Sequence, residues 1–140
     1  MKRIYFDTNI FIDILLDRDL SNISFDILKK ALEESELFMS TLSIHISYYI
    51  CKIKLNSETD TKVKELINAI NLIPLDESIV NQSLYSFVTD FEDTLQYYSA
   101  LSADCDYILT RDKKDFFRIK ESIPSKIEII DSLNTSHLNS

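Results

Sequence analysis

The 140-residue chain contains no glycine. That absence removes the phosphate-cradling loops of the GxGxxG and GxxxxGK[ST] kinds, whose tight turns need a residue without a side chain. Nucleotide cofactors held in those ways are excluded. Left-handed turns and helix C-caps fall to Asn, Asp and Ser instead.

Short β-rich runs alternate with helical spacing along the chain. Residues 2–6 read as a strand that stops at Asp7, and Ile10, Phe11, Ile14 and Leu15 then recur at helical spacing behind a cap at Thr8 or Asn9. Ser21 or Ser24 opens a second helix with Ile23, Ile27, Leu28, Ala31 and Leu32 on one face. Further strands are expected at 36–39, 71–75, 107–110 and 126–130. The remaining helices are expected over 42–55 (largely buried), from Ser57 or Thr59, from Asp76, from Thr89 or Asp90 to about Ala103, and over 113–120. Such alternation implies a parallel sheet covered on both faces, an α/β/α three-layer sandwich. The working site of such a sheet lies beyond the C-terminal ends of the strands, near a switch in strand order. Residues 7–9, 40–43, 76 and 111–112 occupy those places.

The length fits one domain, expected over 1–131, with a polar tail at 132–140 expected to be loose. No apolar run reaches the roughly 18 residues of a membrane span. Asp7 falls where a signal peptide would be apolar, which argues against export. Cys51 and Cys105 form no CxxC pair, which argues against zinc and a disulfide framework and makes the reducing cytoplasm the expected compartment. A net charge of −8 weighs against nucleic acid, because phosphate neutralisation needs Lys and Arg. A nuclease that holds metal ions, however, must gather carboxylates at its centre, and the bound cation then reverses the local sign.

Mg²⁺ and Mn²⁺ take oxygen ligands in octahedral geometry and keep several waters. Phosphodiester hydrolysis on such ions needs carboxylates converging from different elements. Asp7 and Asp112, each just after a strand, would flank such a site, and Asp93, one turn into the helix from Asp90, would reach over it. Either post-strand Asp alone would read as a helix cap; the set carries the chemistry. Arg111, Lys113, Lys114, Arg118 and Lys120 gather beside Asp112, where they suit RNA phosphates as well as they suit a solvated helix face. Tyr48, Tyr49, Tyr97 and Tyr98 could stack on unpaired bases, although helix-borne aromatic pairs more often belong to a core.

The segments FDTNIFID at 6–13, STLSIHISYYI at 40–50, DFEDTLQYYSA at 90–100 and YILTRDKKDF at 107–116 resemble the PIN-domain nucleases, in order over residues 4–130. The similarity is greatest to the small members that act as toxins in toxin–antitoxin pairs. The resemblance implies a five-stranded parallel sheet between helices and endonucleolytic cleavage of RNA with Mg²⁺ or Mn²⁺. It also implies silencing by an antitoxin partner, often as dimers. Carried over by position, it makes Asp7, Asp93 and Asp112 the metal ligands, with Asn9 orienting Asp7 and Thr110 supporting the turn. The family commonly has a Glu early in the third helix, and the STLSIHI pattern puts Ile46 there. Glu92, Asp90 and His45 are the candidates to compensate, and Asp115 is a further residue near the site. Homodimerisation is expected from the apolar content, with Phe11, Phe25 and the Tyr pairs exceeding what one core covers.

Two other readings compete. A PIN-like domain that has lost catalysis would only bind RNA or a protein, and the missing Glu favours it. A phosphoryl-accepting signalling domain would need an acidic pair after the first strand and an acceptor at Asp76, whereas Asp7 stands alone.

Overall fold

A computed structural model describes residues 1–18 and 23–138, together with the backbone but not the side chain of Phe25. Ser21 as a cap and Phe25 as a surface residue therefore lie outside what is described. The order is β1 (Lys2–Phe6), α1 (Thr8–Leu15), α2 (Phe25–Glu34), β2 (Ser35–Ser40), α3 (Thr41–Ile50) and α4 (Glu58–Ile67). It continues with β3 (Asn71–Ile73), α5 (Glu77–Leu84), α6 (Phe91–Ser102), β4 (Tyr107–Leu109), α7 (Lys113–Ser122), β5 (Glu128–Ile130) and a 3₁₀ turn at Thr135–His137.

Side-chain caps fix where the helices start. Ser24, Ser57, Asp76 and Asp90 each accept a bond from the backbone N–H three residues on, and Ser40 from that of Leu42. Each satisfies one of the orphan donors of a first turn, worth about 1 kcal/mol. Thr8 opens α1 behind Asp7, whose side chain makes no cap bond. That carboxylate is engaged elsewhere.

All five strands are parallel, in the order β3-β2-β1-β4-β5. The chain winds outward from β1 through β2 to β3, then returns beside β1 and winds the other way through β4 to β5. The switch in order thus falls between β1 and β4, where Phe6 pairs with Leu109. Strand residues alternate between two cores. Ile4, Phe6, Leu37, Met39, Leu109 and Ile130 pack with Ile10, Phe11, Leu15, Ala31 and Val63 of the first four helices. Tyr5, Phe38, Ile73, Ile108 and Ile129 pack with Ile79, Leu95, Tyr97, Ala100, Phe116 and Ile119 of the last three. Three layers result, as the alternation implies.

Four expectations are corrected. The helix expected over 42–55 stops at Ile50, and the residues it buries are Ser43 and Ser47 rather than its apolar ones; Tyr49 is 81% exposed and Leu55 74%. Ser, Asn and Asp do not carry the left-handed positions alone: among the described residues, Lys52 and Phe87 join Asp17, Asn56 and Asp104 there, and no Ser does. Phe11 and Tyr97 are core residues, and the Tyr97 hydroxyl donates to the Ile123 carbonyl at 2.6 Å, so neither is surface in surplus. The tail does not hang loose through 138. Leu133 and Leu138 enter the first core, and His137 lies edge-on to Tyr107 with 5.0 Å between ring centroids. The apolar pair is too sparse in a polar segment to show a period, yet it closes the sheet beside β5.

Leu138→Ala is expected to lower unfolding free energy by about 2–4 kcal/mol, the cost of a cavity at a filled site. Urea titrations of the two proteins measure it; equal midpoints would mean a free tail.

Candidate active site

Asp7 is 1% exposed at the end of β1. Its backbone N–H extends the ladder to Leu109 of β4, at 3.0 Å. Its carboxylate is clamped: Oδ1 accepts from Gln96 Nε2 and Oδ2 from Thr110 Oγ1, each at 2.8 Å. Burial raises the Asp7 carboxyl above its ordinary pKa, the Thr110 and Gln96 bonds pull it down, and the charge of Asp112 adds to the rise. Burial is the larger effect, because neither donor carries a charge.

Gln96, fully buried in α6, joins three elements through one amide. Besides donating to Asp7, its Oε1 accepts from the Thr8 backbone N–H at 3.0 Å and from the Tyr5 hydroxyl at 3.1 Å. Thr110 has a second duty, accepting from the Asp112 backbone N–H at 2.9 Å and so shaping the turn into α7. On the α3 side, Thr8 Oγ1 and Ser43 Oγ lie 2.7 Å apart. Ile46 follows one turn after Ser43 and is half-buried, whereas His45 is exposed.

The other carboxylates come from the first turn of α6 and the entry to α7. Asp93, half-buried, is pushed up to about 8, first by burial and then by the charges of Asp7, Asp90, Glu92 and Asp112. Glu92 is raised by burial, then by Asp7 and Asp90. Asp112 heads α7, is exposed, and makes no side-chain cap bond. These acids thus act on one another across the switch point. Asp90 is the exception in role: its Oδ1 accepts from the Asp93 backbone N–H at 2.9 Å, as a cap.

Other sequence-derived residues stand apart. Among the described residues, the groups bonded to the Asp7 side chain are Gln96 and Thr110, not Asn9. Gln96 went unassigned in the sequence, although its place in EDxxQ, one turn past Asp93, was the available signal. Arg111 is tied to the buried carboxylate of Asp13, with Nε 2.8 Å from Oδ2, and Arg18 reaches the same group at 3.0 Å. A cation so engaged braces the turn rather than waiting for a phosphate. Lys113 and Lys114 remain on the outer side of α7, and Asp115 lies 3.8 Å from Arg118. Asp76 caps α5, bonding to the Ile79 N–H at 2.9 Å behind an edge strand, and so serves no acceptor site.

The oxygen-only donor set suits a hard divalent cation. Among the described residues no three His, Cys, Asp or Glu side chains form a ready-made cage. A magnesium-like ion does not require one, since it binds through one or two carboxylates and keeps several waters. Burial first, and then the neighbouring carboxylates, push Asp93 up to about 8, and a bound cation would offset both.

Known proteins resemble this chain in sequence or in fold. Ribonuclease VapC1 of Aquifex aeolicus is 26% identical over 119 residues, covering 80% of this chain and 83% of the relative. The fold superposes on VapBC2 of Rickettsia felis, solved bound to a DNA fragment from its promoter, with a TM-score of 0.65 and 14% identity over 91% of this chain and 98% of that one. It also superposes on a toxin–antitoxin complex from Klebsiella pneumoniae, with a TM-score of 0.60 and 20% identity over 89% and 94% of the two chains. The PIN domain profile matches residues 3–114, the stretch that runs from β1 to the start of α7 and includes every residue of the clamp. This chain belongs to the PIN domain family.

Proposed function

We propose that the protein is a metal-dependent endoribonuclease, the toxin of a toxin–antitoxin pair. The observation that carries this reading is the Asp7 carboxylate, buried at the switch point, held by two neutral donors and facing further carboxylates. Burying a charge with no cation beside it is costly, and a site that does so is built for something it must bind. Asp7, Asp93 and Asp112 are the residues that would hold Mg²⁺ or Mn²⁺, directly or through water, with Glu92 adding charge. Such a cation lowers the pKa of bound water and offsets charge on the phosphate. Gln96 and Thr110 hold the Asp7 oxygens in place, and Lys113 and Lys114 receive phosphates flanking the one attacked. The ribonuclease and toxin–antitoxin relatives support RNA as substrate and a protein antitoxin as partner.

Homodimerisation belongs to this reading too, now on exposed apolar residues such as Tyr49 and Leu55 rather than on Phe11 or Tyr97. Among the described residues no helix is long and apolar enough to cross a membrane; we place the protein in the cytoplasm.

A second reading, a PIN domain that binds without cutting, draws on Ile46 and on the lack of a ready-made cage. Cleavage of RNA that depends on added Mn²⁺ and stops with a chelator decides for the nuclease. No cleavage with either ion decides against it.

Asp7→Asn should abolish that cleavage while leaving metal-free stability at pH 7 unchanged or raised. The amide can still accept from Gln96 and can donate to Thr110, and no charge has to be held buried at that position. Thermal melts check this, and a loss above about 2 kcal/mol would mark Asp7 as structural. Gln96→Met should do the reverse to stability, lowering it by about 2–4 kcal/mol, since it orphans the Thr8 N–H, the Tyr5 hydroxyl and one Asp7 oxygen together. Denaturant titration reads that loss.

Ile46→Glu should tighten Mn²⁺ binding in calorimetric titration and raise cleavage. Without the ion it should cost about 1–3 kcal/mol, because a further carboxylate joins a crowded site and an apolar group is lost. Stability recovered on adding Mn²⁺ should exceed that of the parent, since the ion binds the folded state. Unfolding with or without Mn²⁺ would place position 46 in the core instead.

A further inference from the structure

The outer face of α7 is not used by the clamp. Lys113, Lys114, Phe117, Arg118 and Glu121 line a depression of about 530 Å³ there. Spacing of four residues sets 113, 117 and 121 in one row and 114 and 118 in the next. Phe116 and Ile119 bury the opposite side against the sheet, so α7 does not need the Phe117 ring to dock. That ring is 44% exposed, and Lys113 Nζ stands 5.6 Å from its centroid. The cations differ in how they are engaged. Arg111 is bound to Asp13, and Lys120 donates to the Ile127 carbonyl at 2.5 Å. Among the described residues Arg118 has only the half-exposed Asp115 at 3.8 Å, a pair of little strength, and Lys114 has no ion pair.

We propose that this face is a stacking subsite for one unpaired nucleotide of an RNA strand, the base lying on Phe117 and the adjoining phosphates meeting Lys114 and Arg118. The inference rests on the ribonuclease reading and gives it a direction: the strand leaves the acidic centre along α7. Position supports it, because Lys113 directly follows Asp112 and a helical rise of about 6 Å separates it from Phe117. Charge supports it as well. In a chain of net charge −8, an RNA backbone is repelled over much of the surface, and here cations adjoin the acidic centre. An aromatic face takes any unpaired base, whereas paired bases keep their faces inside the helix. The subsite therefore selects single strands without reading sequence.

The chain has no Trp, so Phe117→Trp installs a lone fluorophore at the ring. In the metal-free protein, a single-stranded octa-adenylate should quench it saturably, and Lys114→Gln with Arg118→Gln should weaken that binding about ten-fold at low salt. Duplex RNA, inorganic polyphosphate and polyglutamate should quench little. Phe117→Ala should raise KM for single-stranded RNA about ten-fold with kcat unchanged. Equal quenching by polyphosphate would reduce the face to a charge patch, equal quenching by polyglutamate would assign it to an acidic protein, and either overturns the proposal. Absent quenching with KM unchanged, while Mn²⁺-dependent cleavage persists, overturns the subsite alone. Quenching in a protein that never cleaves supports the subsite and removes the nuclease reading.

Discussion

The bond between Gln96 and Asp7 is the constraint on which the rest of the site depends. A carboxylate removed from water needs donors, and a neutral amide supplies one without introducing a counter-charge that would compete with a cation. The same amide accepts from Thr8 and Tyr5, so β1, the start of α1 and the first turns of α6 are set by one side chain. Through Thr110 the clamp also reaches the β4 end and the turn into α7. Strand order and site geometry are thus one arrangement. The switch between β1 and β4 opens the space, and the clamp decides what points into it.

Charge is distributed with comparable economy. On the ribonuclease reading, the acidic centre repels phosphate until a cation is bound, so phosphate binding at that centre is conditional on the ion. Arg111, next to Asp112 in sequence, is paired with the buried Asp13 while its side chain stays 32% exposed, and it braces the turn. On the proposed reading, approach of an anionic polymer is left to the outer side of α7, beside the acids. Such a separation would keep a lysine from neutralising the carboxylates proposed to hold the cation.

How far the sequence was legible follows from the range of each interaction. Caps at Ser24, Ser57, Asp76 and Asp90 are local, three residues from donor to acceptor, and were legible in the sequence, Asp76 outright and each of the others as one of two candidates. The layers and the site's edge followed from strand–helix alternation and one rule about parallel sheets. Asp112, after a strand, and Asp93, one turn into a helix, could be put forward as site acids, helped by the family resemblance. Gln96 was not assigned, because its meaning lies 89 residues away at Asp7. Arg111 misled for the same reason: its partner is 98 positions back along the chain. The third helix misled through composition, since its apolar residues suggest burial while the face it buries carries Ser43 and Ser47. Two small hydroxyls allow α3 to approach α1 closely, a fit that hydrophobic pattern does not encode.

Five described residues hold a positive φ without being glycine, among them Phe87 at 62° and Lys52 at 51°. For a side chain such as phenylalanine the left-handed region costs about 1–2 kcal/mol. The unfolded chain, however, has no glycine anywhere, and so fewer backbone states to lose on folding; each replaced glycine is worth about 0.4–1 kcal/mol in that ensemble where its geometry is compatible. Native strain at a few turns is thereby set against a stiffer denatured state spread over the whole length. Introducing glycine at Phe87 would relax the turn and loosen the unfolded chain together, so the two effects oppose each other, and ordinary directed evolution toward higher stability would find little to gain at the very positions that look most strained.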